Sequence, residues 1–138
     1  MRRIVGPILL STALLLSGCA TNKRQDALSL TMIQYANAVR FDGFEAAEQF
    51  VDPKVRAAHP LTDLARARFD QVQVSGYDDG NGPIPVSDNE VRQNVQISLT
   101  NIHTQSVRTI VDHQVWRYDP DKSHWWLESG LPDIAPQN

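Results

Sequence analysis

Cysteine is almost absent from this sequence: Cys19 is the only one. No internal disulfide can therefore form, and stability has to come from packing. An excess of positive charge is also missing. Lys and Arg number 13 against 16 Asp and Glu, for a formal charge of −3, and no basic stripe offers a footprint for nucleic acid. The histidines, His59, His103, His113 and His124, lack metal-ligand spacing, and with no thiol beyond Cys19 a zinc site has too few donors. No glycine-rich phosphate loop follows a strand, and no Gly-x-Ser-x-Gly elbow is present. Internal repeats and low-complexity tracts are absent. No cofactor is expected from any of these patterns.

Long apolar runs are scarce too. One stretch, Ile4 to Leu16, is apolar except for Gly6-Pro7 and Ser11-Thr12. It is shorter than the roughly 20 residues that a bilayer span requires. Preceded by Met1-Arg2-Arg3, it has the form of a secretory signal: a basic start, an apolar middle and a small-residue end. That end reads Leu16-Ser17-Gly18-Cys19, an aliphatic residue, two small ones and a cysteine. It resembles the lipobox of bacterial lipoproteins. The resemblance implies diacylglycerol on the Cys19 sulfur, cleavage just before Cys19 and acylation of the new amino terminus. The thiolate is the side-chain nucleophile suited to taking up a lipid. An ordinary secretory signal with a chance cysteine is the alternative.

Two or more acyl chains anchor a protein stably where one does not, so the bilayer is the first expected partner. Ala20 and Thr21 follow the cysteine with no Asp beside it. By resemblance to enterobacterial sorting, that implies the outer membrane, facing the periplasm. Cleavage leaves Cys19 to Asn138, 120 residues with a formal charge of −5, enough for one domain. Residues 19–25 read as a lipidated polar tether of about six flexible residues, spanning roughly 12–15 Å. Residues 26–132 read as the domain and 133–138 as a loose tail.

Helical patterning comes first. Asp26 is placed to cap a helix running to about Arg40, with Leu28, Met32, Tyr35 and Val39 forming an apolar stripe beside Ile33 and Ala36. Phe44 to Val51 predicts a second short helix. Asp52-Pro53 opens a third, with proline at its first position, and His59-Pro60 closes it. A last short helix is predicted from Thr62 or Asp63 to Arg68.

From Phe69 the period changes from 3.6 to 2. Phe69 to Tyr77 predicts a strand, followed by the turn cluster Asp78-Asp79-Gly80-Asn81-Gly82-Pro83. Ile84 to Val86 is confined to an edge or a loop by Pro83 and Pro85. Val91 to His103 predicts a long strand with Val91, Val95, Ile97 and Leu99 on one face. Val107 to Tyr118 returns, with Val107, Val111 and Val115 assigned to the matching face. A last strand, Ser123 to Ser129, holds Trp125, Trp126 and Leu127.

Helices followed by about four antiparallel strands predict an α+β domain with the helices laid on one face of a curved sheet. Three features carry a further resemblance: this element order, the Tyr35-to-Phe50 helix pair with its segment FDGFEAAEQFVDP, and the closing aromatic strands around Trp116 and Trp125-Trp126. Over about residues 26–130 the chain resembles the nuclear transport factor 2-like superfamily, also called SnoaL-like or cystatin-like. That implies a cone-shaped pocket, used in some members for isomerase or dehydratase chemistry and in others for binding. The alternative is a plain helix-plus-meander sandwich with no pocket.

No residue-by-residue match to an isomerase base and its donor pair is found. Tyr35 falls on the inner face of the first helix, where packing is the commoner role of tyrosine. A three-residue hairpin at Thr104-Gln105-Ser106 would set Ile97 opposite His113 and turn His113 toward the apolar face. A four-residue loop at Asp119 to Lys122 would then set Glu128 opposite His113. That would make a His113–Glu128 pair a candidate acid/base unit; the alternative is a buried histidine held by one carboxylate. Asp112 is assigned to the opposite face. The pocket candidates are Tyr35, His113, Trp116 and Trp126. Trp116, Trp125 and Trp126 form a contact patch if two share an exposed face, and otherwise pack in the core.

Three functions follow as expectations. The first is a non-catalytic, membrane-anchored periplasmic lipoprotein that binds a small apolar ligand or an envelope protein. The second is an enzyme using His113 and Glu128, and the third is an accessory subunit of an envelope assembly that docks through tryptophans.

Overall fold

A computed structural model of the protein describes residues 16–136. Residues 1–15, most of the stretch read above as a secretory signal, lie outside the described residues, while Cys19 lies within them and is exposed. Four helices precede five strands. They are α1 (Leu16–Asn37), α2 (Phe44–Ala47), α3 (Pro53–Ala58) and α4 (Asp63–Phe69), then β1 (Val72–Asp78), β2 (Ile84–Ser87), β3 (Glu90–Asn101), β4 (Val107–Asp119) and β5 (His124–Leu127). The strands form one antiparallel sheet in the order β1-β3-β4-β5, with β2 also paired to β3. The helices pack on one face of this curled sheet, so the domain is α+β, as the order of patterns predicts.

α1 starts earlier than the apolar stripe suggests. Asp26 lies inside the helix rather than capping it, and residues 19–25 are helical rather than a coil tether. The reason is a set of contacts from the sheet. Trp125 Nε1 donates to the Arg24 carbonyl at 2.9 Å, the Arg24 guanidinium lies 4.5 Å from the Tyr118 ring centroid, and Arg24 donates to Asn89 Oδ1 at 3.1 Å. Short isolated helices are marginal in water, and tertiary contacts such as these extend them. The buried stripe is Leu28, Thr31, Tyr35, Ala38 and Val39, and Ile33 faces solvent. After Asn37 the coil widens into a π turn, Ala38–Asp42, closed by Gly43 N–H bonding to the Ala38 carbonyl. Gly43 has φ +92°, a region open to glycine and strained for other residues.

The short helices follow the sequence signals closely. Asp52 accepts from the Lys54 N–H at 2.8 Å and caps α3, with Pro53 at its first position. Thr62 caps α4 by accepting from Ala65 N–H. Phe69 belongs to the end of α4, not to β1, and stacks on Phe44 with ring centroids 4.9 Å apart. The core between the layers is filled by Tyr35, Val39, Ala47, Val95, Ile97, Leu99, Trp116 and Leu127, all close to fully buried. Tyr35 meets Trp116 and Phe50 edge to face, at 5.4 and 5.7 Å, the geometry that aromatic quadrupoles favour.

The β3–β4 register differs from expectation. Gln96 pairs with Val111 and Asn94 with His113, a slip of three residues. An odd slip exchanges the two faces of a strand. Val107 and Val111 therefore point to solvent, while Asp112, Gln114, Trp116 and Tyr118 point into the core. The turn itself is the cause. Asn101 Oδ1 accepts from the N–H groups of His103 and Thr104, and Gln105 adopts φ +60°, so residues 101–106 form the loop and His103 is drawn out of the strand.

At the other end of β4, Asp119 pairs with His124. Asp119 Oδ1 caps the loop by accepting from Asp121 and Lys122 N–H groups. Glu128 then bonds through its N–H to Val115, not opposite His113. The final segment is not loose over its described part. Ile134 is 3% exposed, and its carbonyl accepts from Arg108.

Asp52 links the two layers. It is 4% exposed, caps α3, donates its own N–H to the Leu127 carbonyl at 3.1 Å and pairs with Arg117 of β4. Asp52→Ala should lower stability by about 2–3 kcal/mol, combining a lost cap with a broken ion pair whose carboxylate is buried. Asp52→Asn keeps the cap and should cost about half as much. Urea unfolding of both variants measures the difference, and equal losses would assign the whole effect to the charge.

Candidate functional site

The slipped register turns Asp112 and Gln114 of β4 inward, where they join Gln93, which shares the face of Val91 and Val95 on β3. Asp112, Gln114 and Gln93 are 5%, 1% and 5% exposed on the concave face of the sheet. Buried polar groups are costly unless they are satisfied, and most of these form one chain of hydrogen bonds. Gln114 Nε2 donates to Asp112 Oδ2 at 2.9 Å and to the Tyr77 hydroxyl at 3.1 Å. Trp116 Nε1 donates to Gln114 Oε1 at 3.1 Å. The Tyr35 hydroxyl, on the α1 side of the same core, is buried without a hydrogen-bond partner.

This cluster shifts the titration of its members. Burial pushes the Asp112 carboxyl up to about 6, against the smaller opposing effects of the Gln114 hydrogen bond and the nearby His113. Burial also pushes Tyr77 up to about 12, with Asp112 and Asp79 adding to the rise and Gln114 opposing it. Tyr35 rises well above the usual tyrosine range, first from burial and then from Asp112 and Tyr77. A carboxyl near neutrality beside tyrosine hydroxyls has the composition of an acid/base site. Its access does not match, because Asp112, Gln114, Tyr35 and Trp116 are all sealed in the core.

The residues singled out from the sequence do not converge. His113 lies on the outer face of the sheet, exposed, sharing a 2.8 Å hydrogen bond between Nδ1 and Asn94 Oδ1. Glu128 is half-buried on the same outer face, 3.4 Å from Arg117 Nε. The proposed His113–Glu128 unit is therefore not formed, because both hairpin registers differ from those assumed. Tyr35 and Trp116 are core residues. Trp125 and Trp116 point inward while Trp126 points outward against His124, ring centroids 4.1 Å apart. The three tryptophans thus share no exposed face. Sequence reasoning missed Asp112; strict alternation along β4 carried the signal, but it needed the correct register to be read.

The open space lies elsewhere. A groove of about 630 Å³ runs between α3, α4 and the chain after β5, within the size range of small-molecule sites. Gly130, at φ +75°, turns the chain so that residues 131–134 run along this groove. Among the described residues no group of His, Cys, Asp and Glu is arranged to hold a metal. No family model, curated protein or solved structure matches the chain. What the protein does must therefore be argued from its own sites.

The raised Asp112 gives a signed pH dependence. The folded state holds this proton to about pH 6, whereas an unfolded aspartate releases it near 4. The stabilising contribution is full below about pH 4 and is lost as pH rises through about 6. Asp112→Asn should therefore raise stability at pH 7–8 by about 2–3 kcal/mol and flatten the slope between pH 4 and 6. Thermal melts across that range measure both effects. An unchanged slope would mean that Asp112 is ionised at no cost in the fold.

Proposed function

We propose that this chain is a lipid-anchored protein of the bacterial envelope whose single domain is a non-catalytic binding module. The observation that carries the anchor is Leu16-Ser17-Gly18-Cys19, with the only cysteine of the chain at the modifiable position and exposed. Among the described residues no helix is long and apolar enough to cross a membrane. The acyl chains of Cys19 are the means of attachment in this reading. Ala20 and Thr21 after the cysteine favour the outer membrane, on the periplasmic side.

The binding role draws on the contrast between the two interior features. The cluster with acid/base chemistry is closed, and the open groove is lined by apolar and charged side chains without a paired nucleophile and base. The cone of the nuclear transport factor 2-like resemblance fits a helix layer on a curved sheet, and its non-catalytic members fit a closed polar core. Docking through tryptophans has no exposed aromatic pair to act through.

Intact mass of the membrane-extracted protein tests the anchor. A mass for residues 19–138 plus acyl chains, lost in Cys19→Ala together with membrane attachment, is the expected result. A soluble, unacylated chain would overturn the anchored reading and leave a secreted domain.

A further inference from the structure

The groove between α3, α4 and residues 129–134 has two kinds of lining. Its walls include Val51, Val55, Leu61, Phe69, Leu131 and Ile134, a continuous apolar surface. Arg56 of α3 and Arg68 of α4 border the same space, as do His59, Glu48 and Asp133. Among the described residues neither arginine forms an ion pair; the pairs present are those of Arg66, Arg92 and Arg117. Glu48 and Asp133 border the groove, but neither lies within ion-pair distance of Arg56 or Arg68.

Arg56 is half-buried, and its Nε is sealed from solvent with no hydrogen-bond partner. A guanidinium donor in that position carries a desolvation cost that an acceptor would offset. Arg68 also borders a second cavity, of about 270 Å³, whose other cation is Arg108 and whose lining includes no carboxylate. The two spaces share Arg68 and Ile134, so cationic side chains continue past the apolar section. An apolar body followed by an oxyanion matches that sequence of surfaces, since guanidinium and carboxylate or phosphate pair through parallel hydrogen bonds.

We propose that the groove binds an amphiphile with an apolar body and an oxyanion head, the head meeting Arg56 with Arg68 as the further cation of the same lining. This deepens the binding-module reading by naming the ligand class, and it does not depend on the lipid anchor. The apolar walls supply affinity through burial, and the arginines select the head. A neutral hydroxyl head can accept one hydrogen bond but makes no charge-assisted, two-bond pair with a guanidinium. A cationic head is repelled by both guanidinium groups.

Titration calorimetry of the full-length protein extracted in its native form tests this with four probes of equal tail: decanoate, decyl phosphate, decanol and decyltrimethylammonium, each below its micelle concentration. The expected order places decanoate or decyl phosphate at least about tenfold tighter than decanol, with decyltrimethylammonium weakest. Whichever oxyanion binds more tightly identifies the head. Arg56→Gln should weaken oxyanion binding about tenfold and leave decanol unchanged, while Arg56→Lys recovers part of the loss. Ala65→Trp, which fills the groove from α4, should abolish binding of every probe and serves if Arg56→Gln fails to fold.

Equal affinity for all heads would overturn the oxyanion assignment while leaving a binding module that reads only the apolar body. Oxyanion binding that survives Ala65→Trp would place the ligand outside this groove and overturn the proposal. Binding of none of the probes would overturn it as well, and the mass of the extracted protein would still decide the anchor separately.

Discussion

The β3–β4 ladder is the constraint from which the interior follows. It joins residues 90–100 to 107–117 without a break, and each pairing decides which side chains face the helices. With Asn94 opposite His113, the inward positions of β4 are Asp112, Gln114, Trp116 and Tyr118. Trp116 is then available to meet Tyr35 of α1 edge to face, and Gln114 can connect the indole, the Asp112 carboxyl and Tyr77 of β1. A slip by one residue would bring His113 and Val115 inward and leave both a charge-bearing cluster and the main aromatic contact on the solvent side. The closed hydrogen-bond chain therefore acts as a register lock, because any odd slip exposes its apolar members and separates its polar ones.

The lock has a cost, since it holds a carboxyl in the core. Desolvation dominates over the stabilising Gln114 hydrogen bond, and the balance is a core that prefers Asp112 protonated. Specificity of register and stability at neutral pH thus pull in opposite directions at one residue. The orphaned Tyr35 hydroxyl adds to the same tension: its ring is indispensable to the aromatic packing, while its oxygen gains nothing from it. Buried polar groups fix register at a stability cost in some proteins, and here the ladder offers such a role without recourse to chemistry.

Much of the architecture was legible because local signals and tertiary fold agree. Asp52-Pro53, Thr62 and His59-Pro60 mark helix ends by capping chemistry that needs no distant partner, and the period change near Phe69 separates the helical half from the strands. What could not be read were quantities set by loops. The turn at residues 101–106 depends on the Asn101 side chain bonding two backbone N–H groups and on Gln105 accepting a left-handed conformation. Neither is visible in an apolar pattern, and Val107, Val111 and Val115 supplied a plausible but wrong face. His113 was displaced from the core by that turn alone, and Asp112 was moved in. The start of α1 was hidden for a different reason: the residues that hold it, Asn89, Tyr118 and Trp125, lie between 65 and 101 positions away.

The same distant contacts bear on how an anchored domain would be presented. Arg24 ties the first turns of α1 to Asn89, just before β3, and to Trp125 in β5. The other end of β3 is marked by Leu99, opposite Arg108, where Arg108 holds Ile134 at the junction of the two cavities. Ten residues of strand separate Asn89 from Leu99, roughly 30 Å when extended. With lipid on Cys19, the helical connection leaves no slack, and the clamp orients the sheet rather than letting it swing on a tether. The Arg68–Arg108 end of the groove is separated along the sheet from the Arg24 clamp. A groove at that remove from Cys19 leaves room in one domain for both a dissolved amphiphile and a lipid on Cys19.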